Sequence, residues 1–186
     1  MTHLDIQKGN ILLAEPSITG DMAFSRSVIL LAEHNREGSI GFILNKPLSY
    51  TLNELVTDIN VPFPIFNGGP VEQDNLYFIH IVPKLIKGSI EIYDGIYWGG
   101  NFDSLTEAVN EKTITNNDIR FFLGYSGWSS LQLLKEINAN SWIPIEDPDI
   151  KSIVKSDSVE LWKEKIKEVG GEYLIWSNTP ENPNLN

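Results

Sequence analysis

Three short strings hold the residue types that could do chemistry. Gly124, Tyr125, Ser126, Gly127 and Trp128 set a serine between glycines where an apolar run ends, the outline of a nucleophile elbow. Gly41, Asn45, Lys46 and Pro47 place an amide and a cation before a proline, and Asn67, Gly68, Gly69 and Pro70 could turn backbone amides toward an anion. His34 and His80 add two side chains able to serve as base or ligand.

Most of these chemistries fail on spacing. An elbow needs a small residue two positions after its serine, and position 128 is tryptophan. His3, His34 and His80 all precede Ser126, whereas the hydrolases that use such elbows place their histidine last. A tight turn that packs Trp128 and leads into a helix near Ser129 explains the string better. The glycine strings at 67–70 and 99–101 lack the lysine and hydroxyl of a phosphate loop and the three-glycine dinucleotide fingerprint, so turn geometry accounts for both. His34 and Glu37 offer two ligands and no third at useful spacing, a pattern of a polar hairpin tip and not of a metal site. No cofactor and no catalytic residue is assigned.

What survives is a polar cluster at strand ends: Arg26, His34, Asn45, Lys46 and His80. If the strands bring them together they form a small charged pocket suited to an anionic ligand. Lys46 precedes proline, which holds its backbone extended. The competing reading is that Arg26 and His34 tie down loops while Asn45 satisfies backbone groups before the Pro47 turn. Tyr125 and Trp128 are either a binding platform or part of the core.

These residues must be positioned by a sheet. Apolar runs at 10–14, 27–33 and 39–45 read as strands, the last two joined through residues 34–38 as a hairpin. Thr51 and Glu54 form a capping box that predicts a helix over 52–59. Short strands follow around 65–66, 76–81, 89–93 and 96–98, in a region too rich in glycine and proline for helices. Ser104 and Glu107 repeat the capping signature for a helix to 111. A buried strand spans 119–125, and a helix opens at 129 with Leu131, Leu134 and Ile137 on one face. After the acidic loop 146–149 a last helix is predicted over 158–169, stopped by Gly170 and Gly171, with an edge strand at 173–176 and a frayed polar tail at 177–186.

The chain has 186 residues, enough for one domain with its own core, and no repeat or linker divides it. It has no cysteine, which excludes disulfides and thiolate chemistry and suits the cytoplasm. Fourteen Lys and Arg stand against 25 Asp and Glu, a formal charge of −11 that repels a phosphate backbone, so direct DNA binding is disfavoured. The lysines at 151–167 interleave with Glu160, Glu164 and Glu168 as a solvated helix face. No basic and apolar leader and no run long enough for a membrane span is present in the sequence.

Across nearly the whole chain the motifs resemble those of the YqgE/AlgH family of small bacterial proteins. The likeness runs through residues 9–16, Arg26 to Val28, Glu33 and His34, residues 41–47, Gly68 to Pro70, His80, Gly124, Tyr125, Gly127, Trp128, Gln132, Leu133 and Trp142. The resemblance implies an α+β domain with a split, partly barrel-like mixed sheet flanked by short helices, no established enzymatic activity, and a label of transcriptional regulator. The chain departs from the family pattern at Leu131, where glycine is usual, at Leu134, where glutamate is usual, and at Ser126, where alanine is usual. These readings together indicate a non-enzymatic binding or regulatory module with a protein or small-molecule partner, the alternative being an enzyme that uses His34, Lys46 and His80.

Overall fold

Apolar strands that cannot bury themselves alone pair here into one curled sheet. The computed structural model describes residues 6–17, 21–145, 149–156 and 159–179; His3, residues 146–148 of the acidic loop, residue 158 and residues 180–186 of the expected tail lie outside these. The strands are β1 (Ile11–Ala14), β2 (Val28–His34), β3 (Gly38–Ile43), β4 (Pro47–Thr51), β5 (Pro64–Asn67), β6 (Val71–His80), β7 (Ile90–Tyr93), β8 (Ile96–Trp98), β9 (Ile119–Ser129) and β10 (Trp142–Ile145). The helices are α1 (Leu52–Leu55), α2 (Phe102–Asn110), α3 (Gln132–Asn138), α4 (Ile150–Lys155) and α5 (Leu161–Val169), followed by a 3₁₀ helix over Gly171–Asn178.

The main strand order is β10-β1-β2-β3-β9-β6-β8-β7, with β4 and β5 branching from β9. All pairs are antiparallel except β5 with β9. The sheet splits at β9, whose Phe121 to Leu123 pair with β5 and whose Ser126 to Ser129 pair with β3. It curls until β7 approaches the segment before β1: Lys8 Nζ donates to the Glu91 carbonyl at 2.9 Å. No ladder joins the edge strands β7 and β10 among the described residues, so the barrel-like curvature stops short of closure.

Strand periodicity sends alternate residues of β9 to opposite sides. Phe122 joins the core inside the curl with Leu13, Leu30, Phe42 and Trp162, while Phe121 joins a second core with Leu52, Phe63 and Leu105 beneath α2. Phe42 and Phe122 stack at 4.9 Å between centroids, and each fully buried ring contributes roughly 1.5–3 kcal/mol. A third cluster sits under α3, with Trp128, Leu133 and Trp142. α4 and α5 cover the first core, and Trp162 Nε1 donates to the Ala14 carbonyl at 2.8 Å.

Several elements differ from the sequence expectations. The capping box is formed, with Glu54 accepting from the Thr51 amide at 2.6 Å, but α1 ends at Leu55 because Val56 is already extended. α2 starts earlier than expected, since Asn101 and not Ser104 is its cap, accepting from the Ser104 amide at 2.8 Å. β9 does not stop at Tyr125; the expected turn at 124–128 is strand, so α3 begins only at Gln132. Leu131 and Leu134 are exposed, and Leu133 is the buried residue of α3. Residues 150–155 form a helix that the sequence reading did not contain, and α5 begins at Leu161. The expected edge strand at 173–176 is 3₁₀ helix: Gly170 and Gly171 both have positive φ, which turns the chain back onto α5 and away from the sheet edge.

Candidate functional site

The fold distributes the candidate residues over three places. At the first, Asn45 follows β3 and fastens the chain before β2: its Oδ1 accepts from the Val28 amide at 2.9 Å and its Nδ2 donates to the Arg26 carbonyl at 2.8 Å. Lys46 Nζ donates to the Ala23 carbonyl at 2.7 Å, capping the turn that precedes β2. Arg26, with φ of 53°, donates to the Thr179 carbonyl at 3.1 Å and lies 5.2 Å from the Trp162 ring. Asn45 touches the Arg26 backbone while the Arg26 guanidinium turns to Thr179 and Trp162, and the bonds these residues make hold backbone segments to one another.

His80 occupies the second place, fully buried at the end of β6. Its Nε2–H donates to the Gly99 carbonyl and its Nδ1 accepts from the Val82 amide, both at 3.2 Å, which selects the neutral Nε2–H tautomer. Its ring stacks on Tyr97 at 5.9 Å and 18°. Burial holds its pKa below the usual histidine value, with the Gly99 bond acting in the other direction.

The third place is the turn end of the β2–β3 hairpin, at the far end of β2 from Asn45 and Arg26. Here Asn35 Oδ1 accepts from the Glu37 amide at 2.8 Å and fixes the tip, and His34 Nδ1 shares a hydrogen bond with Ser39 Oγ at 2.7 Å. On one side of the hairpin a groove of about 370 Å³ is lined by Glu33, Glu37, Ile40, Val71, Tyr125 and Trp128. On the other a cavity of about 340 Å³ is bordered by His34, Arg36, Ser129, Leu131 and Leu134. Val71 reaches the groove because β6 bulges after it: Val71 pairs with Tyr125 and Leu76 with Leu123, so residues 72–75 loop outward. Glu72 in that bulge accepts from the Tyr77 hydroxyl and from Asn75 Nδ2, and the Tyr77 bond holds its carboxyl below the ordinary range. Tyr77 in turn meets Tyr125 edge to face at 5.6 Å.

Tyr125 is thus presented to the groove, whereas Trp128 is 5% exposed and packed in the core beneath α3. Trp128 and Trp142 both donate their Nε1–H to Glu136 Oε2 at 2.8 Å, and Gln132 Nε2 donates to Glu136 Oε1 at 2.9 Å. Glu136 is a residue the sequence reading passed over; its spacing of four from Gln132, in a chain carrying Trp128 and Trp142 nearby, was the signal. Arg120 was passed over as well. It is 5% exposed, donates to the Leu44 carbonyl at 2.9 Å and to the Ser156 carbonyl at 2.5 Å, and lies 4.5 Å from the Phe66 ring.

Ser126 is wholly buried inside β9 and its Oγ donates to the Gly68 carbonyl at 3.1 Å, so its hydroxyl faces a neighbouring strand connection and not a cleft. The glycine and proline turns serve this crossing: the Gly68 amide donates to Leu123 O at 2.9 Å, the Ile43 amide donates to Gly68 O at 3.0 Å, and Gly69 N–H bonds Asn67 Oδ1 at 3.0 Å. Gly41 and Gly127 lie in strand ladders beside it, and Pro47 begins β4. Pro70 links Gly69 to β6. Among the described residues no group of three His, Asp or Glu side chains is placed to hold a metal ion.

The model of a family described as AlgH-like matches residues 11–174. A UPF0301 protein from Chlorobium limicola is 40% identical over 183 residues, which cover 97% of this chain and 96% of that protein. A UPF0301 protein from Cytophaga hutchinsonii is 40% identical over 183 residues, 97% of this chain and all of its own length (100%). Among solved structures, protein DIP2367 from Corynebacterium diphtheriae superposes with a TM-score of 0.77 at 21% identity, covering 96% of this chain and 95% of that one. The AlgH protein from Pseudomonas aeruginosa superposes with a TM-score of 0.73 at 23% identity over 98% of both chains. At these identities the two structures speak to the fold.

Proposed function

The chain belongs to the AlgH-like family, and from that premise we propose that it is a binding or regulatory module that works through a partner protein at the hairpin groove. The observation that carries this reading is the groove itself: a concave surface in which Tyr125, Ile40 and Val71 lie beside the carboxylates of Glu33 and Glu37. Interfaces favour such an aromatic anchor within a polar rim. The two carboxylates give this groove a negative lining. A partner segment carrying Lys or Arg next to an apolar side chain complements it.

The label of transcriptional regulator fits this route better than direct contact with DNA, because a chain of net charge −11 gains little from phosphate contacts. A cytoplasmic setting accords with the absence of cysteine from the sequence. No described helix is long and apolar enough to cross a membrane. The alternative, an enzyme using His34, Lys46 and His80, asks for joint action from side chains set in three different surroundings.

Selection from a random displayed-peptide library on the immobilised protein tests the proposal. Enriched peptides are expected to combine a basic residue with an aromatic or aliphatic one, and to lose binding to a Glu33→Lys, Glu37→Lys variant while still binding a Lys46→Ala variant. Enrichment of acidic peptides, or binding indifferent to the two glutamates, would overturn it. Sequence-selective retention of duplex DNA at ~10⁻⁸ M protein in about 0.15 M salt would overturn the indirect route.

A further inference from the structure

A larger cavity, of about 520 Å³, lies away from the elements of the hairpin groove, between the segment after β6, the β7–β8 turn and α4. Its apolar wall is Ile81, Val82, Pro83, Leu85 and Tyr97, and the charged side chains that line it are Lys84 and Lys151. We infer that it is a binding site for a small amphipathic anion, a carboxylate carried on a short acyl or aryl body.

Volume, lining and rigidity support this together. The volume falls within the ~300–1,000 Å³ common for small-molecule sites, which combine mostly apolar walls with a few polar groups. In a chain of net charge −11, a hollow whose own charged lining is two lysines is a local reversal of sign. Lys151 Nζ stands 3.3 Å from Asp94 Oδ2, so a protein carboxylate already demonstrates the anion geometry at the rim. That pair is solvent-exposed, at 43% and 67%, and exposed ion pairs are weak, so an incoming carboxylate can exchange with Asp94.

The wall is built before any ligand arrives. Asp94 and Gly95, with φ of 46° and 77°, make the tight two-residue turn of the β7–β8 hairpin. Ile81 N–H donates to Asp118 O at 3.0 Å, and the Leu85 and Ile86 amides donate to Val82 O at 3.0 and 3.2 Å. Behind Tyr97 the buried His80 ring, engaged at both nitrogens, fixes the aromatic face. Preorganisation of this kind lowers the ordering cost of binding. The ligand is a free molecule and not a membrane headgroup, because an anionic bilayer would repel a protein of this charge.

The test is an amide-resolved NMR titration of the full chain with octanoate, run in parallel with octanol, octylammonium and phosphatidylglycerol vesicles. Octanoate is expected to shift Val82, Leu85, Gly95 and Tyr97 saturably, and more tightly than the other three probes. Lys84→Gln with Lys151→Gln is expected to weaken octanoate by about tenfold, and Asp94→Asn to tighten it by about two- to fivefold as the internal competitor is removed. Equal binding of octanol or octylammonium, indifference to the lysine pair, or association with vesicles alone would overturn the assignment. Weaker octanoate binding in Asp94→Asn would do so as well.

Discussion

The Gly124 carbonyl oxygen lies 2.2 Å from where a Cβ on Gly68 would be built, and the Gly69 carbonyl oxygen lies 2.5 Å from where a Cβ on Gly124 would be. Two glycine strings far apart in sequence are therefore one structural device: a crossing in which the β5–β6 connection lies against β9 without side chains between.

Gly124→Val should accordingly be among the most damaging substitutions in the chain. It introduces a β-branched residue at φ of 71° and drives its Cβ into backbone. A loss of about 3 kcal/mol is expected by chemical denaturation. A loss below about 1 kcal/mol would show that the crossing is not close-packed.

Ser126→Ala should cost little. Its hydroxyl bond to Gly68 O is lost, but that carbonyl still accepts from the Ile43 amide, so about 1 kcal/mol is expected and peptide binding should be unchanged. Binding abolished in a stably folded Ser126→Ala would contradict the buried, structural role assigned to it.

Leu131→Gly should stabilise. Leu131 precedes α3 at φ of 63° and is 63% exposed, so it bears left-handed strain with little burial in return. Relief of ~1–2 kcal/mol of strain against the extra unfolded-state entropy of glycine leaves a net gain of about 0.5–1 kcal/mol, readable as a higher Tm. A lower Tm would mean that the leucine side chain contributes packing that outweighs its strain.

Glu136→Ala should destabilise by about 2–3 kcal/mol, because it strands the indole N–H groups of Trp128 and Trp142, which are 5% and 4% exposed. Tryptophan fluorescence of the folded variant should change, whereas Glu136→Gln, which keeps an acceptor oxygen, should recover much of the loss. Equal destabilisation by the two variants would point to packing and not to the shared acceptor.

Stability should fall as pH drops from about 6.5. Burial lowers the pKa of His80 in the folded chain below its ordinary 6.5, so above that value neither state binds the proton and His80 adds no pH dependence. Below it the unfolded chain is protonated first and stability decreases, by at most ~1.4 kcal/mol per pH unit, until the folded pKa is passed. Glu54 and Glu72, held low by bonds from Thr51 and Tyr77, respond only at more acid pH. His80→Gln should flatten the window just below pH 6.5; an unchanged slope would assign it to other groups.

Features encoded within a few residues were legible in the sequence, and those imposed from a distance were not. The hairpin at 34–38 and the capping box of Thr51 and Glu54 are local and form as expected. Gly124 and Gly127 read as a turn because glycine ends strands when its neighbours are unknown; here Gly124 admits the remote 68–69 segment and the strand continues through Gly127. Tyr173 to Trp176 have strand-like composition, yet Gly170 and Gly171 redirect them. The candidate cluster rested on strand ends converging. Asn45 reaches the Arg26 backbone beside Lys46, but His34 belongs to the opposite end of β2 and His80 to another strand, a distinction set by strand order and absent from any one segment.

The fastening of the last segments onto the first strands also governs how the chain can fold. β1 pairs with β10, Trp162 bonds Ala14 across 148 positions, and Arg26 reaches Thr179 across 153. During synthesis the apolar faces of β1 and β2 therefore wait for residues 142–179 before they are covered. Contacts of such separation slow folding, so the core is expected to close only once residues 142–179 have been made, with a long interval in which the early hydrophobic strands are open to chaperones.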